Sequence, residues 1–179
     1  MFGKARDVEL GDAELGKVVS QSELILHRSE WKRNGKRVVF ASGSFDLLHP
    51  GHVRLLEQAR ALGDVLVVGV ENDAVVRAKS AETGEKRGIA RPITPAGERV
   101  EILAALAAVN YVVEINALTP DQFLARLNAD VVVEGGGDSD PAFTDRSDAG
   151  ITEPRIVHVP LEPGHSISRL IDRIKQLTA

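Results

Sequence analysis

Arg37-Val38-Val39-Phe40-Ala41-Ser42-Gly43-Ser44-Phe45-Asp46-Leu47-Leu48-His49-Pro50-Gly51-His52 is the stretch whose reading decides the fold. Val38 to Ala41 are apolar without alternation, as a strand buried on both faces requires. Helical spacing begins immediately downstream, where residues 53–62 set Leu55, Leu56, Ala59 and Leu62 on one face. A strand passed to a helix across a turn that holds Gly43 and Gly51 opens a βαβ unit. The alternation then repeats. Residues 37–42, 65–70, 111–115, 129–134 and 155–159 are predicted strands. Residues 98–107 are a predicted helix with Ile102, Leu103 and Leu106 inward, and residues 120–127 another, with Thr119 as N-cap. A closing helix over 166–177 turns Ile167, Leu170, Ile171 and Ile174 inward. The expected fold is therefore α/β, a Rossmann-like, right-handed, doubly wound parallel sheet of about five strands, with ligands at the carboxyl ends of the strands.

Outside this pattern, residues 18–32 predict a helix leading into the first strand, and residues 1–16 read as a polar tail, leaving 17–179 as one domain. Residues 79–91 and 135–153, charged or rich in Gly, Asp and Ser, read as surface loops. The formal net charge of −4 argues against a nucleic-acid or membrane-surface binder, which needs a positive field to collect phosphates. Any phosphate site must then be local. The absence of cysteine excludes disulfides and thiolate metal sites, and the first residues lack an apolar signal core, so a cytoplasmic setting is expected.

The chemistry concentrates at the first turn. His49 and His52 stand at the start of the helix, where backbone N–H groups and the helix dipole favour an anion. Imidazoles three residues apart lie about one helical turn from each other, so both can donate to the same phosphate. An isolated His is more often an ordinary surface or core residue; two of them flanking a glycine on a strand-to-helix turn are far more specific. A second cluster, Pro163-Gly164-His165-Ser166-Ile167-Ser168-Arg169, opens the last helix. Its free N–H groups, the Ser166 and Ser168 hydroxyls and the Arg169 guanidinium can cradle phosphates. Ordinary capping by Ser166 with Arg169 exposed is the plain alternative. Asp46 reads either as a helper of the site or as an acceptor for turn N–H groups.

The decapeptide from Gly43 to His52 resembles the signature of the cytidylyltransferase-like nucleotidyltransferases, and the likeness extends over about residues 17–174. Lys36-Arg37-Val38-Val39-Phe40, the helix after His52, Arg91-Pro92-Ile93 and Glu98-Arg99-Val100-Glu101-Ile102-Leu103 are most similar to the adenylyltransferase domain of bifunctional heptose-phosphate kinase/adenylyltransferases. That branch makes ADP-heptose from ATP and heptose 1-phosphate. No counterpart of its kinase half is seen, which implies a monofunctional homologue or a different acceptor. The resemblance implies His49, His52 and Lys79 as catalytic residues, Lys79 matching a phosphate-contacting lysine; a solvated lysine is the plain reading. It further implies a nucleotide site of Gly43, Ser44, Phe45, Gly51, Arg99, Gly135, Gly136, His165, Ser166, Ser168 and Arg169. Arg99 either serves nucleotide phosphates or pairs with Glu98 or Glu101 on the helix surface. Magnesium is expected to arrive on the triphosphate without a protein metal site, and a homodimer is common in the family.

The chain also departs from that branch. It reads Ala41-Ser42-Gly43-Ser44 where the branch has Thr-Asn-Gly-Cys, and Glu134-Gly135-Gly136-Gly137-Asp138 in place of Lys-Gly-Gly-Asp. The enzymatic rivals are a cytidylyltransferase for glycerol 3-phosphate, which commonly has an Arg where Leu161 stands, and an FAD-forming adenylyltransferase. Outside enzymes, the rival is a nucleotide-binding regulatory homologue.

Overall fold

Ser20 fixes where the first described helix begins: its Oγ accepts from Glu23 N at 3.2 Å while the Glu23 carboxylate accepts from Ser20 N at 2.8 Å. This reciprocal cap starts α1, Gln21–Arg33, three residues later than the apolar pattern alone suggests. The computed structural model describes residues 17–82, 89–116, 120–135, 154–159 and 164–178. The 1–16 tail, Thr119, Gly136, Leu161, Pro163 and most of the 135–153 loop lie outside the described residues.

After α1 come β1 (Val38–Gly43), α2 (Pro50–Ala61), β2 (Val65–Glu71), α3 (Asp73–Glu82) and α4 (Ala96–Ala104). They are followed by β3 (Tyr111–Ile115), α5 (Pro120–Leu127), β4 (Val131–Gly135), β5 (Arg155–Val159) and α6 (Ile167–Thr178). The five strands form one all-parallel sheet in the order β3-β2-β1-β4-β5. β1 lies at the centre. Successive residues of the strands point to opposite faces, so each face gathers its own apolar set. Val39, Ala41, Leu66, Val68, Val112, Val131 and Val133 meet Leu55, Leu56 and Ala59 of α2 and Leu103 of α4. On the other face Val38, Phe40, Val67, Val113 and Val132 meet Leu24 and Trp31 of α1 and Phe123 and Leu127 of α5. Helices on both faces are why the strand pattern lacks alternation.

Between β1 and β4 the chain order breaks, because β2 and β3 were laid down on the other side of β1. Ala41 pairs with Val133, so Gly43 and Gly135, each two residues further on, flank the crevice at the carboxyl edge. Ligands bind at such a switch point in open α/β sheets.

Three expectations need correction. Asp73–Glu82 is helical, so Lys79 sits in the last turn of α3 and not in a loop. Asn72 starts this helix, its Oδ1 accepting from Val75 N at 2.9 Å, but only Val76 is buried, which leaves little periodic signal. Ile102 is 46% exposed and Ile174 55% exposed, so neither faces the core; Leu103 and Ile171 do. Leu106 falls after the end of α4 and packs only partly buried against the core.

Leu56 is fully buried between α2 and the sheet, whereas Ile102 borders solvent. Leu56→Ala is expected to lower unfolding stability by about 2–5 kcal/mol and Ile102→Ala by less than about 1 kcal/mol, read from urea denaturation midpoints. Equal losses would mean that Ile102 is a core residue after all.

Candidate active site

His49 is the N-cap of α2 and Pro50 its first residue, so the helix begins without a side-chain cap and the His49 ring stays uncommitted. His52, one turn on, stacks on it with ring centroids 3.8 Å apart and planes 17° from parallel. The edge of Phe45 packs against His52 at 5.4 Å. Phe45 is buried at φ 47°, a left-handed conformation that folds the turn back over the end of β1. Its ring belongs to the core, so Phe45 supports the His pair from beneath and is not an open nucleotide contact.

Burial, and then the charge of His165, lower the His49 pKa from its ordinary value. Burial, and then the charge of His49, lower that of His52 to about 4. Burial explains the sign, since desolvation penalises the charged form of either ring, and a charged neighbour, His165 for His49 and the stacked His49 for His52, adds to it. At neutral pH both rings are uncharged, and each then carries a single N–H donor. The Nδ1 atoms of both are buried without a hydrogen-bond partner.

The second cluster reaches the first. His165 lies edge-on to His49 at 6.4 Å. A Cβ on Gly51 would lie 3.0 Å from His49 Nδ1 and 3.2 Å from the Cβ of His165, so a larger residue would press the two segments apart by a few tenths of an ångström. Ser166 caps α6: its Oγ accepts from Arg169 N at 3.2 Å and its carbonyl accepts from Leu170 N at 3.1 Å. The capping reading of Ser166 therefore holds, and its hydroxyl proton remains available for donation. Ser168 is half-buried and Arg169 exposed, with the Arg169 guanidinium beside Gly164.

Asp46 is an acceptor for turn N–H groups. It is buried, ion-paired with Arg91 Nε, and accepts from Ile93 N and Thr94 N at 2.7 Å each. Arg99 fits neither sequence reading. Only 1% exposed, it donates to the Ser44 carbonyl, to Glu71 O at 2.8 Å, to Thr94 O at 2.9 Å and to Asp73 Oδ1 at 2.7 Å. Its N–H groups face protein oxygens, so it positions the ends of β1 and β2 and is not turned to a nucleotide. Lys79 ion-pairs with Glu71 at 2.6 Å. Val70 pairs with Gly43, so Glu71 lies one residue past that level and Lys79 stands at the rim of the same edge. Gly135 is exposed at the end of β4, where Glu134 lies 3.4 Å from His158 Nδ1 of β5. The sequence hid the Arg91–Asp46 pair and the Arg99 cluster, although both arginines lie in segments that carry the family likeness.

The sequence profile of the cytidylyltransferase-like family matches residues 40–168, from within β1 to the second residue of α6. The chain belongs to the cytidylyltransferase-like family. By that membership it is a nucleotidyltransferase. It is 39% identical over 157 residues to the bifunctional protein HldE of Koribacter versatilis and 42% identical over 140 residues to that of Citrifermentans bemidjiense. These alignments cover 88% and 78% of the chain but only 31% and 27% of the relatives, so this cytidylyltransferase-like chain spans about a third of their length. A lipopolysaccharide core biosynthesis protein from Thermoplasma volcanium superposes with a TM-score of 0.54 at 27% identity, over 72% of this chain and 99% of that one. A pantoate-beta-alanine ligase from Francisella tularensis, 12% identical, shares the fold with the same TM-score over 84% of this chain and 68% of that one. No described helix is long and apolar enough to cross a membrane.

The His pair makes a pH expectation. Unfolded, His52 takes up a proton near 6.5; folded, near 4, so the unfolded state binds more protons between those values. Stability is therefore full above about pH 6.5 and falls as the pH is lowered toward 4. An NMR titration should find the His52 ring flat through the neutral range with a midpoint near 4. A midpoint at 6.5 or above would mean that the ring is solvated and the stack open.

Proposed function

We propose that the chain transfers AMP from ATP to a sugar phosphate, D-glycero-D-manno-heptose 1-phosphate, forming ADP-heptose and pyrophosphate. The observation that carries the transfer chemistry is the stacked, uncharged His49–His52 pair at the start of α2, with the His165 segment packed against it across Gly51. The adenylyl and heptose assignments rest on the likeness of the α2 and α4 segments to heptose-phosphate adenylyltransferases and on the identity to HldE proteins.

In this reading an acceptor phosphate oxygen attacks the α-phosphorus of ATP in line. The bond from that phosphorus to the bridging oxygen breaks, and pyrophosphate leaves with the electron pair. His49 and His52 donate N–H bonds to the oxygens on which charge builds, the bonds tightening as the transition state forms. Uncharged rings suit this task, since a donor without charge binds the ground-state phosphate less tightly than a cation would. Gly43, Ser44, Gly51, Gly135 and Gly136 offer backbone to the nucleotide. Ser166, Ser168 and Arg169 hold the β- and γ-phosphates. Lys79 swings from Glu71 to the acceptor or the α-phosphate. Asp46 is committed to Arg91 and two N–H groups, so it does not offer a carboxylate to a metal. Magnesium bound to the triphosphate would neutralise charge on its oxygens. A homodimer in a cytoplasmic setting completes the reading, checked by light scattering of the purified chain.

A pyrophosphate-release screen of ATP and CTP against heptose 1-phosphate, glycerol 3-phosphate and FMN tests the assignment. ATP with heptose 1-phosphate is expected to turn over fastest; a clear preference for CTP with glycerol 3-phosphate would replace it by the cytidylyl reaction. His49→Ala and His52→Ala are each expected to lower kcat roughly a hundredfold to a thousandfold with little change in nucleotide affinity. Near-normal turnover would sink the catalytic role.

Arg169→Ala combined with Ser168→Ala is expected to weaken ATP and pyrophosphate binding about tenfold to hundredfold, the scale of a charge-assisted contact, and to leave AMP binding unchanged. Calorimetric titration of the three ligands decides it. A matching loss for AMP would make α6 a capped helix and nothing more.

A further inference from the structure

At the opposite edge of the sheet, by the first residues of β1 and β4, lies a cavity of about 370 Å³ lined by Arg28, Lys32, Lys36, Arg37, Asn128 and Asp130, among others. About 16 Å of extended chain, the length of β1, separates it from Gly43 and the His pair. We infer that this cavity binds a phosphate group, free or carried on a small molecule.

The argument is an inventory of donors and acceptors. Arg28 is 7% exposed; its Nε donates to the carbonyls of Leu127 and Asn128 at 3.2 and 2.9 Å, and its Nη2 reaches Asp130 at 3.3 Å. Those bonds use the carbonyls at the end of α5. At the end of α1 the carbonyls of Glu30, Trp31 and Lys32 accept from Asn34, Lys36 and Gly35 N–H groups. Asp130, the carboxylate in the wall, already accepts from Val38 N at 2.7 Å as well as from Arg28. These acceptors are each paired, while several donors in the wall are not. Arg28 Nη1 is buried without a hydrogen-bond partner. Lys36 reaches Asp64 only at 4.0 Å, and that pair is about half exposed on both sides. The side chains of Lys32 and Arg37 are exposed and form no ion pair among the described residues.

Two helix C-termini end here, each carrying about half a negative charge, so part of this basic character serves the helix dipoles. Four cations nevertheless face one carboxylate in the wall, and an orphaned buried donor calls for a water or an ion. A group that only accepts, carries more than one charge and offers several oxygens fits this surplus; phosphate has all three properties. The volume leaves room for a small ester around it.

The test is an amide NMR titration of the full chain with inorganic phosphate and, in a second arm, ribose 5-phosphate, each against sodium chloride at matched ionic strength. Saturable shifts are expected at Gly35, Asn128, Ala129 and Asp130. Lys32→Ala with Arg37→Ala should weaken that binding about tenfold or more, with nucleotidyl transfer and the urea midpoint unchanged. Should that double variant fold poorly, the exposed single change Lys32→Glu gives the same reading. Tighter binding of the ester identifies a phosphorylated small molecule as the ligand, and equal binding identifies phosphate itself. Shifts that do not saturate, that chloride reproduces, or that the variants leave intact would overturn the inference.

Discussion

One buried cation holds the carboxyl edge of the sheet together. The Arg99 guanidinium reaches from α4 to the carbonyl of Ser44 after β1, the carbonyl of Glu71 at the end of β2, the Thr94 carbonyl and the Asp73 carboxylate at the start of α3. A charge out of water is costly unless its donors are met, so this arrangement tolerates little drift in any partner. Its effect is to fix where β1 stops and the turn to His49 begins. Asp46 works from within that turn in the same sense, binding Arg91 and the N–H groups of Ile93 and Thr94. The two networks meet at Thr94, which gives its carbonyl to one and its N–H to the other.

On this frame the pair, with His49 buried and His52 half-buried, can stay uncharged. A solvated imidazole pair would take up protons in turn near neutrality and swing apart. Held against Phe45 and each other, the rings lose their proton affinity instead. The rigidity of the turn, the geometry of the stack and the charge state of the rings are thus one property seen at three levels.

How much of this was legible in the sequence depended on the range of the contacts involved. The β1–turn–α2 unit was plain because its signals are local: four apolar residues, two glycines, two histidines and a helical stripe. The parallel, doubly wound character of the sheet followed from the strand–helix alternation and the rule that parallel strands need crossovers, whereas the order of its strands is a matter of tertiary pairing that no local pattern carries. α3 escaped because it buries Val76 alone, and a helix whose burial is one residue leaves no period to read. Ile102 and Ile174 misled for the opposite reason, since an apolar residue at helical spacing says nothing of whether a neighbour covers it. Arg99 could not be placed from its own surroundings in sequence. Its partners come from four other segments, and beside Glu98 and Glu101 it looks like any exposed helical arginine. The approach of His165 to His49 is likewise a product of the sheet bringing β1 and β5 to one edge, which no local pattern encodes.

The missing side chain at Gly51 has a mechanical meaning. Because His49 and His165 approach it from two sides so closely that a methyl group would be tight, the start of α6 and the start of α2 meet across a single glycine. Two helix tips in such contact share one surface, so a group held at the start of α6 lies within reach of the ring at His49. The spacing between the two anion-favouring helix starts is thus set at its narrowest point by the one residue without a side chain.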